Sequence, residues 1–69
     1  MEAIKKRFGV QLRKLRHTKG WTQEKLGEKA GLHSTYVGQI ERGVRNPSLV
    51  NLYKLAKALK VKAGELLPF

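Results

Sequence analysis

The chain predicts an all-α fold, a compact bundle of five helices around one core. Three observations predict it. Apolar residues recur three and four positions apart, and nowhere do they alternate with the period a strand requires. Gly20, Gly31, Gly43 and Pro47 cut this pattern into short pieces. Thr22 and Ser48, good helix-capping residues, stand directly ahead of two of those pieces.

The elements follow in order. Ile4, Phe8, Leu12 and Leu15 share one face of a first helix from about Ile4 to Thr18, among Lys5, Lys6, Arg7, Arg13 and Lys14. Gly20 ends it as a left-handed cap. Trp21 leads to Thr22, whose hydroxyl accepts an orphan backbone N–H at the start of a second helix, Gln23 to Ala30. Leu26 and Ala30 face inward. Gly31 makes the tight turn, where positive φ is needed, and Leu32 packs inward from it. A third helix runs from about Ser34 to Arg42, with Val37 and Ile40 inward, and stops at Gly43. After a loop from Val44 to Pro47, Ser48 caps a fourth helix carrying Leu49, Leu52, Leu55, Ala56 and Leu59 at helical spacing. A short last helix, about Ala63 to Leu67, ends at Pro68. No repeat and no second unit intervene, so residues 1–69 read as a single domain.

Charge narrows the function. Fifteen Lys and Arg face five acids, for a net charge of +10. That excess points to a polyanion, either nucleic acid or an anionic membrane surface. A membrane-active peptide would need one continuous amphipathic helix, which the glycines and Pro47 forbid. There is no apolar run of the ~20 residues that would span a bilayer, and no signal-peptide pattern. No membrane partner is therefore expected. Without cysteine there is no disulfide and no thiolate, which fits a reducing cytoplasm and, for a DNA binder, the nucleoid. Two histidines and scattered acids offer no acid–base pair and no metal cluster. The chain reads as a non-enzyme, without cofactor, metal or small-molecule ligand.

The second and third helices are too short to be stable alone, so their purpose lies in what they present. Spacing puts Ser34, Thr35, Gly38, Gln39 and Arg42 outward on the third. Hydroxyls bond bases or phosphates, and a glutamine amide pairs bidentate with adenine. Gly38 either lets the helix sit close to DNA or is a tolerated defect of about 1 kcal/mol. Residues 34–39 carry no formal charge while cations flank them. Affinity should come from the flanks and discrimination from the neutral groups.

The pattern resembles the Cro and phage-repressor class of helix-turn-helix domains, the xenobiotic-response-element family. The residues that carry it are Leu12-Arg13, Leu15-Arg16, Gly20-Trp21-Thr22-Gln23-Glu24, Ala30-Gly31-Leu32, Tyr36-Val37, Ile40-Glu41-Arg42-Gly43, Arg45-Asn46-Pro47-Ser48-Leu49, Leu55-Ala56 and Ala58-Leu59. The resemblance implies a lambda-repressor-like DNA-binding domain that holds its third helix in the major groove. It implies that Ser34, Thr35 and Gln39 meet base edges. It gives backbone contacts to Gln23, His33, Tyr36, Arg42, Arg45 and Asn46, and an ion pair tying helices one and three to Arg16 and Glu41. Three departures stand out. Gly27 replaces the usual Ala, which should preserve close packing of the second and third helices but loosen the second by about 1 kcal/mol. Lys25 replaces a Glu of the capping box, and Lys62 a Ser or Thr cap, so the last helix should fray.

Members of the family usually bind as twofold dimers on inverted repeats about one helical turn apart. Val61, Leu66, Leu67 and Phe69 lie beyond the helix-turn-helix and supply the expected dimer surface, the alternative being that they close the bottom of the monomer. The reading is a sequence-specific regulator of transcription, a homodimer on double-stranded DNA. Phage-type repressor, antitoxin and restriction–modification controller remain open within it, and the LHSTY segment leans toward the controller. An antitoxin or coregulator that mainly holds a protein partner is the alternative.

Overall fold

Caps set the boundaries of the helices. A computed structural model describes residues 2–69 and contains α1 (Glu2–Thr18), α2 (Gln23–Ala30), α3 (Ser34–Glu41), α4 (Leu49–Leu59) and α5 (Ala63–Leu66). Among the described residues there is no strand, and no helix is long and apolar enough to cross a membrane. Thr22 Oγ1 accepts the Lys25 N–H at 3.0 Å, and Ser48 Oγ accepts the Asn51 N–H at 3.1 Å. Gly31 closes α2 at φ 72°, in the left-handed region glycine occupies without steric cost. Helix α1 begins two residues earlier than its spacing suggests. Helix α3 stops one residue earlier, where Arg42 becomes the cap.

All five helices contribute to the core. Leu12 of α1, Leu26 of α2, Val37 and Ile40 of α3, Leu55 and Leu59 of α4, and Leu66 of α5 are wholly enclosed. Each such side chain contributes about 1.5–3 kcal/mol by leaving water. Trp21, Leu15 and Leu32 pack on the core from its edge. Helix α3 lies between α1 and α2, α4 packs on α2, and α5 joins α4 to α1.

Several expectations are corrected. Leu66 cannot offer a docking surface, because α5 folds back and seals it in the core. Leu49, expected inward, is 83% exposed. The first turn of α4 projects past the core, so burial along that helix begins in earnest at Leu55. Gly27 provides the close packing expected of it between α2 and the turn to α3. A Cβ there would stand 2.5 Å from the Leu32 carbonyl oxygen, so the turn after α2 depends on its absence. Lys62 lacks an acceptor, but the Glu65 carboxylate accepts the Lys62 N–H at 2.9 Å and supplies half a capping box. Gln11 Nε2 then donates to the Glu65 carbonyl at 3.0 Å, fastening α5 to α1.

Candidate DNA interface

The outward face of α3 is built by elimination. Val37 and Ile40 point into the core, so Thr35, Gln39 and Arg42 must point away from it. Thr35 and Arg42 are exposed and Gln39 half-buried. Ser34 stands half-buried with its backbone close to Gly27 of α2, and Tyr36 is also half-buried. His33 caps the helix, its Nδ1 accepting the Thr35 N–H at 3.1 Å. That bond puts the ring proton on Nε2, the edge left for an outside contact.

Gly38 does not belong to this face. It is buried, and a Cβ on it would lie 3.2 Å from Gln23 Oε1 and 3.3 Å from Arg42 Nη1. Its missing side chain gives room to two neighbouring side chains, a role that neither sequence alternative captured. Gln23, first residue of α2, reaches across it. Gln23 Nε2 donates to Glu41 Oε1 at 3.1 Å. A carboxylate only accepts, so the amide must turn its nitrogen to Glu41, leaving its second N–H for a phosphate.

Glu41 is itself held from α1. Arg16 Nε meets Glu41 Oε2 at 2.7 Å and Arg16 Nη2 meets Glu41 Oε1 at 3.0 Å, a bidentate pair with side chains only 9% and 3% exposed. Arg16 Nη1 also donates to the Trp21 carbonyl at 2.7 Å, one residue ahead of the α2 cap. The pair expected of Arg16 and Glu41 therefore sits inside a wider network joining α1, the start of α2 and the end of α3. Burial of such a pair adds little net stability against an apolar substitute, but it fixes the helices' relative positions.

A second cluster flanks α3. The Arg45 guanidinium lies 5.3 Å from the centre of the Tyr36 ring, a cation–π contact. Asn51 Nδ2, from the first turn of α4, donates to the Tyr36 hydroxyl at 2.9 Å. Arg45 and Asn46 are exposed in the loop after α3. Sequence reasoning missed Asn51. The signal available was a polar residue within an otherwise apolar first turn of α4, and that does not name its partner.

The four residues expected to form a dimer surface do not make one patch. Val61 borders a groove along α4 with Leu49, Leu52, Tyr53 and Ala56. Leu67 and Phe69 line a different cleft, against Ile4, Phe8 and Pro47. Phe69 is 85% exposed and Leu66 is core.

Two short helices locked at a glycine turn, the second showing neutral polar groups between cationic flanks, define a helix-turn-helix DNA-binding protein. A family model described as helix-turn-helix matches residues 12–66, and the chain belongs to that family of DNA-binding transcriptional regulators. It is 51% identical to the restriction-modification controller protein C.AhdI from Aeromonas hydrophila. That structure superposes with a TM-score of 0.92 over 94% of this chain and 98% of the other. Control protein C.BamHI from Bacillus amyloliquefaciens is 48% identical over 63 residues, 90% of this chain and 78% of that protein. Control protein C.MunI from a Mycoplasma species is 45% identical over 67 residues, 96% of this chain and 90% of that protein.

Proposed function

We propose that this regulator is a control protein of a restriction–modification system, acting as a homodimer on an inverted-repeat operator. The observation that carries the reading is the neutral face of Thr35 and Gln39 followed by the exposed Arg42 and Arg45, on a scaffold shared with controller relatives. Ser34, Thr35 and Gln39 read base edges. Gln23, Arg42, Arg45 and Asn46 bind phosphates, with the His33 Nε2–H and the ring of Tyr36 beside them. Such contacts set register, while base edges set sequence. The chain works by binding rather than catalysis, as one domain, in the cytoplasm at the nucleoid.

The dimer reading rests on α4. Leu49 and Tyr53 are 83% and 61% exposed and continue into the apolar groove that Val61 borders. Exposed apolar surface grouped in this way marks an interaction site. Helix α4 starts directly after the loop carrying Arg45 and Asn46.

Selection from a random duplex pool at near-physiological salt tests the proposal. The expected product is an inverted repeat with half-site centres roughly 10 base pairs apart, one helical turn. Binding that enriches no sequence and vanishes steeply with salt would overturn it.

A further inference from the structure

Helix α1 is the most cationic of the five helices, yet only its Arg16 has a part in the interface described above. Two glycines set where α1 meets α3. A Cβ on Gly9 would collide with the Ile40 and Glu41 carbonyl oxygens, so α1 lies directly on the C-terminal end of α3. Gly43, at φ 75°, starts the loop after α3, and a Cβ there would stand 2.7 Å from Lys6 Cγ and 3.1 Å from the Lys6 nitrogen. The Val44 N–H donates to the Gln39 carbonyl at 2.9 Å, which fixes the chain leaving α3 one residue before Arg45.

Positions 6, 9, 13 and 16 are three and four residues apart, so they share one stripe of α1. Gly9 and Arg16 show where that stripe faces, the end of α3 and its Glu41 carboxylate. Lys6 and Arg13 belong to the same stripe but are exposed, two turns and about 10 Å apart. Among the described residues neither forms an ion pair. Glu41, the acid of this corner, is neutralised by Arg16, and Glu24 on the first turn of α2 pairs with neither. Cations beside a helix C-terminus also suit its dipole, a structural role that needs no DNA.

We infer that Lys6 and Arg13 extend the phosphate-binding edge from α3 onto α1, so that each copy grips a longer stretch of duplex backbone than α2, α3 and the loop reach. The inference rests on the proposed phosphate contacts of Arg42 and Arg45, and not on the dimer. Those two arginines sit at the end of α3 that α1 covers, one at the cap and one three residues beyond. A duplex is a continuous polyanion, with a charge about every 1.7 Å of its axis. A backbone held at Arg42 and Arg45 therefore continues past the neighbouring stripe. Cations there add affinity and fix register without reading bases, and specificity stays with α3.

Lys6→Gln with Arg13→Gln, in the full chain, tests the inference on the selected operator and on a random duplex. The slope of log affinity against log salt should fall by about 1.8 for each copy bound, on both duplexes. Between about 50 and about 200 mM NaCl the native chain should then lose about tenfold more affinity per copy than the variant. Phosphate-ethylation interference should lose contacts that Arg45→Ala retains, while base preference stays unchanged. Lys6→Arg with Arg13→Lys should keep the native slope. A slope that does not move in the glutamine variant, whatever happens to its melting temperature, overturns the inference and leaves the pair as helix-end charges or as a site for an acidic protein. If Arg45→Ala also leaves the slope unmoved, the phosphate edge on which the inference rests is overturned with it.

Discussion

The two ends of this molecule solve opposite problems. At the α2–α3 end, buried polar groups are paired with one another. Arg16, Glu41 and Gln23 connect three segments, and Gly38 clears the space in which they meet. At the α4–α5 end, large apolar side chains are left in water beside lysines that form no ion pair among the described residues. The first end is finished within one chain and presents a fixed shape. The second is unfinished, and its energetics depend on what covers it. Rigidity is thus concentrated at the proposed base-reading face, and exposed apolar surface at the proposed dimer face.

Breaking the finished end should have the largest effect. Glu41→Ala leaves the Arg16 guanidinium buried without its carboxylate, and should cost about 3–5 kcal/mol in a denaturant melt. A loss below 1 kcal/mol would mean that water replaces the carboxylate and the network does not hold the helices. Next in size is a change on the face the network presents. Gln39→Ala should cost roughly 1–3 kcal/mol at a single base pair and relax preference there, as read by binding to operator variants. An equal loss on every sequence would remove Gln39 from base reading. Smaller again is Arg45→Ala, which should weaken binding to all duplexes alike and reduce the slope of log affinity against log salt by about 0.9 for each copy bound. The smallest effect belongs to the unfinished end. Leu49→Ala should change monomer stability by less than about 0.5 kcal/mol, the range of ordinary surface substitutions. A larger loss would mean that this end also stabilises the monomer, and the contrast between the ends would fail.

Much of the scaffold was legible because its signals are local. Thr22, Gly31 and Ser48 act on backbone groups within a few residues, so capping chemistry bounded α2 and the start of α4 correctly. What helical spacing cannot say is which neighbour covers a face. Leu49 and Leu66 look alike in sequence. One is 83% exposed and the other fully enclosed, because α5 turns back over α1 and α4 while the first turn of α4 overhangs the core. The partners of long polar side chains were equally out of reach. The Gln23–Glu41 bond spans 18 residues and the Asn51–Tyr36 bond spans 15, and neither spacing has a local signature. Gly9 was missed for the same reason. Its lack of a side chain lets α1 press on the Ile40 and Glu41 carbonyls, which appears only when the two helices are placed together.

The Glu41 carboxylate has one more consequence. By gripping Gln23 at the head of α2 and sitting at the tail of α3, it sets the span between the proposed phosphate anchor and the proposed base-reading face. On the proposed contacts, the protein would behave as a caliper of fixed opening. A duplex whose backbone lies too near or too far from its base edges would then be a poor fit whatever its sequence, so groove geometry would act as a first sieve and sequence as a second.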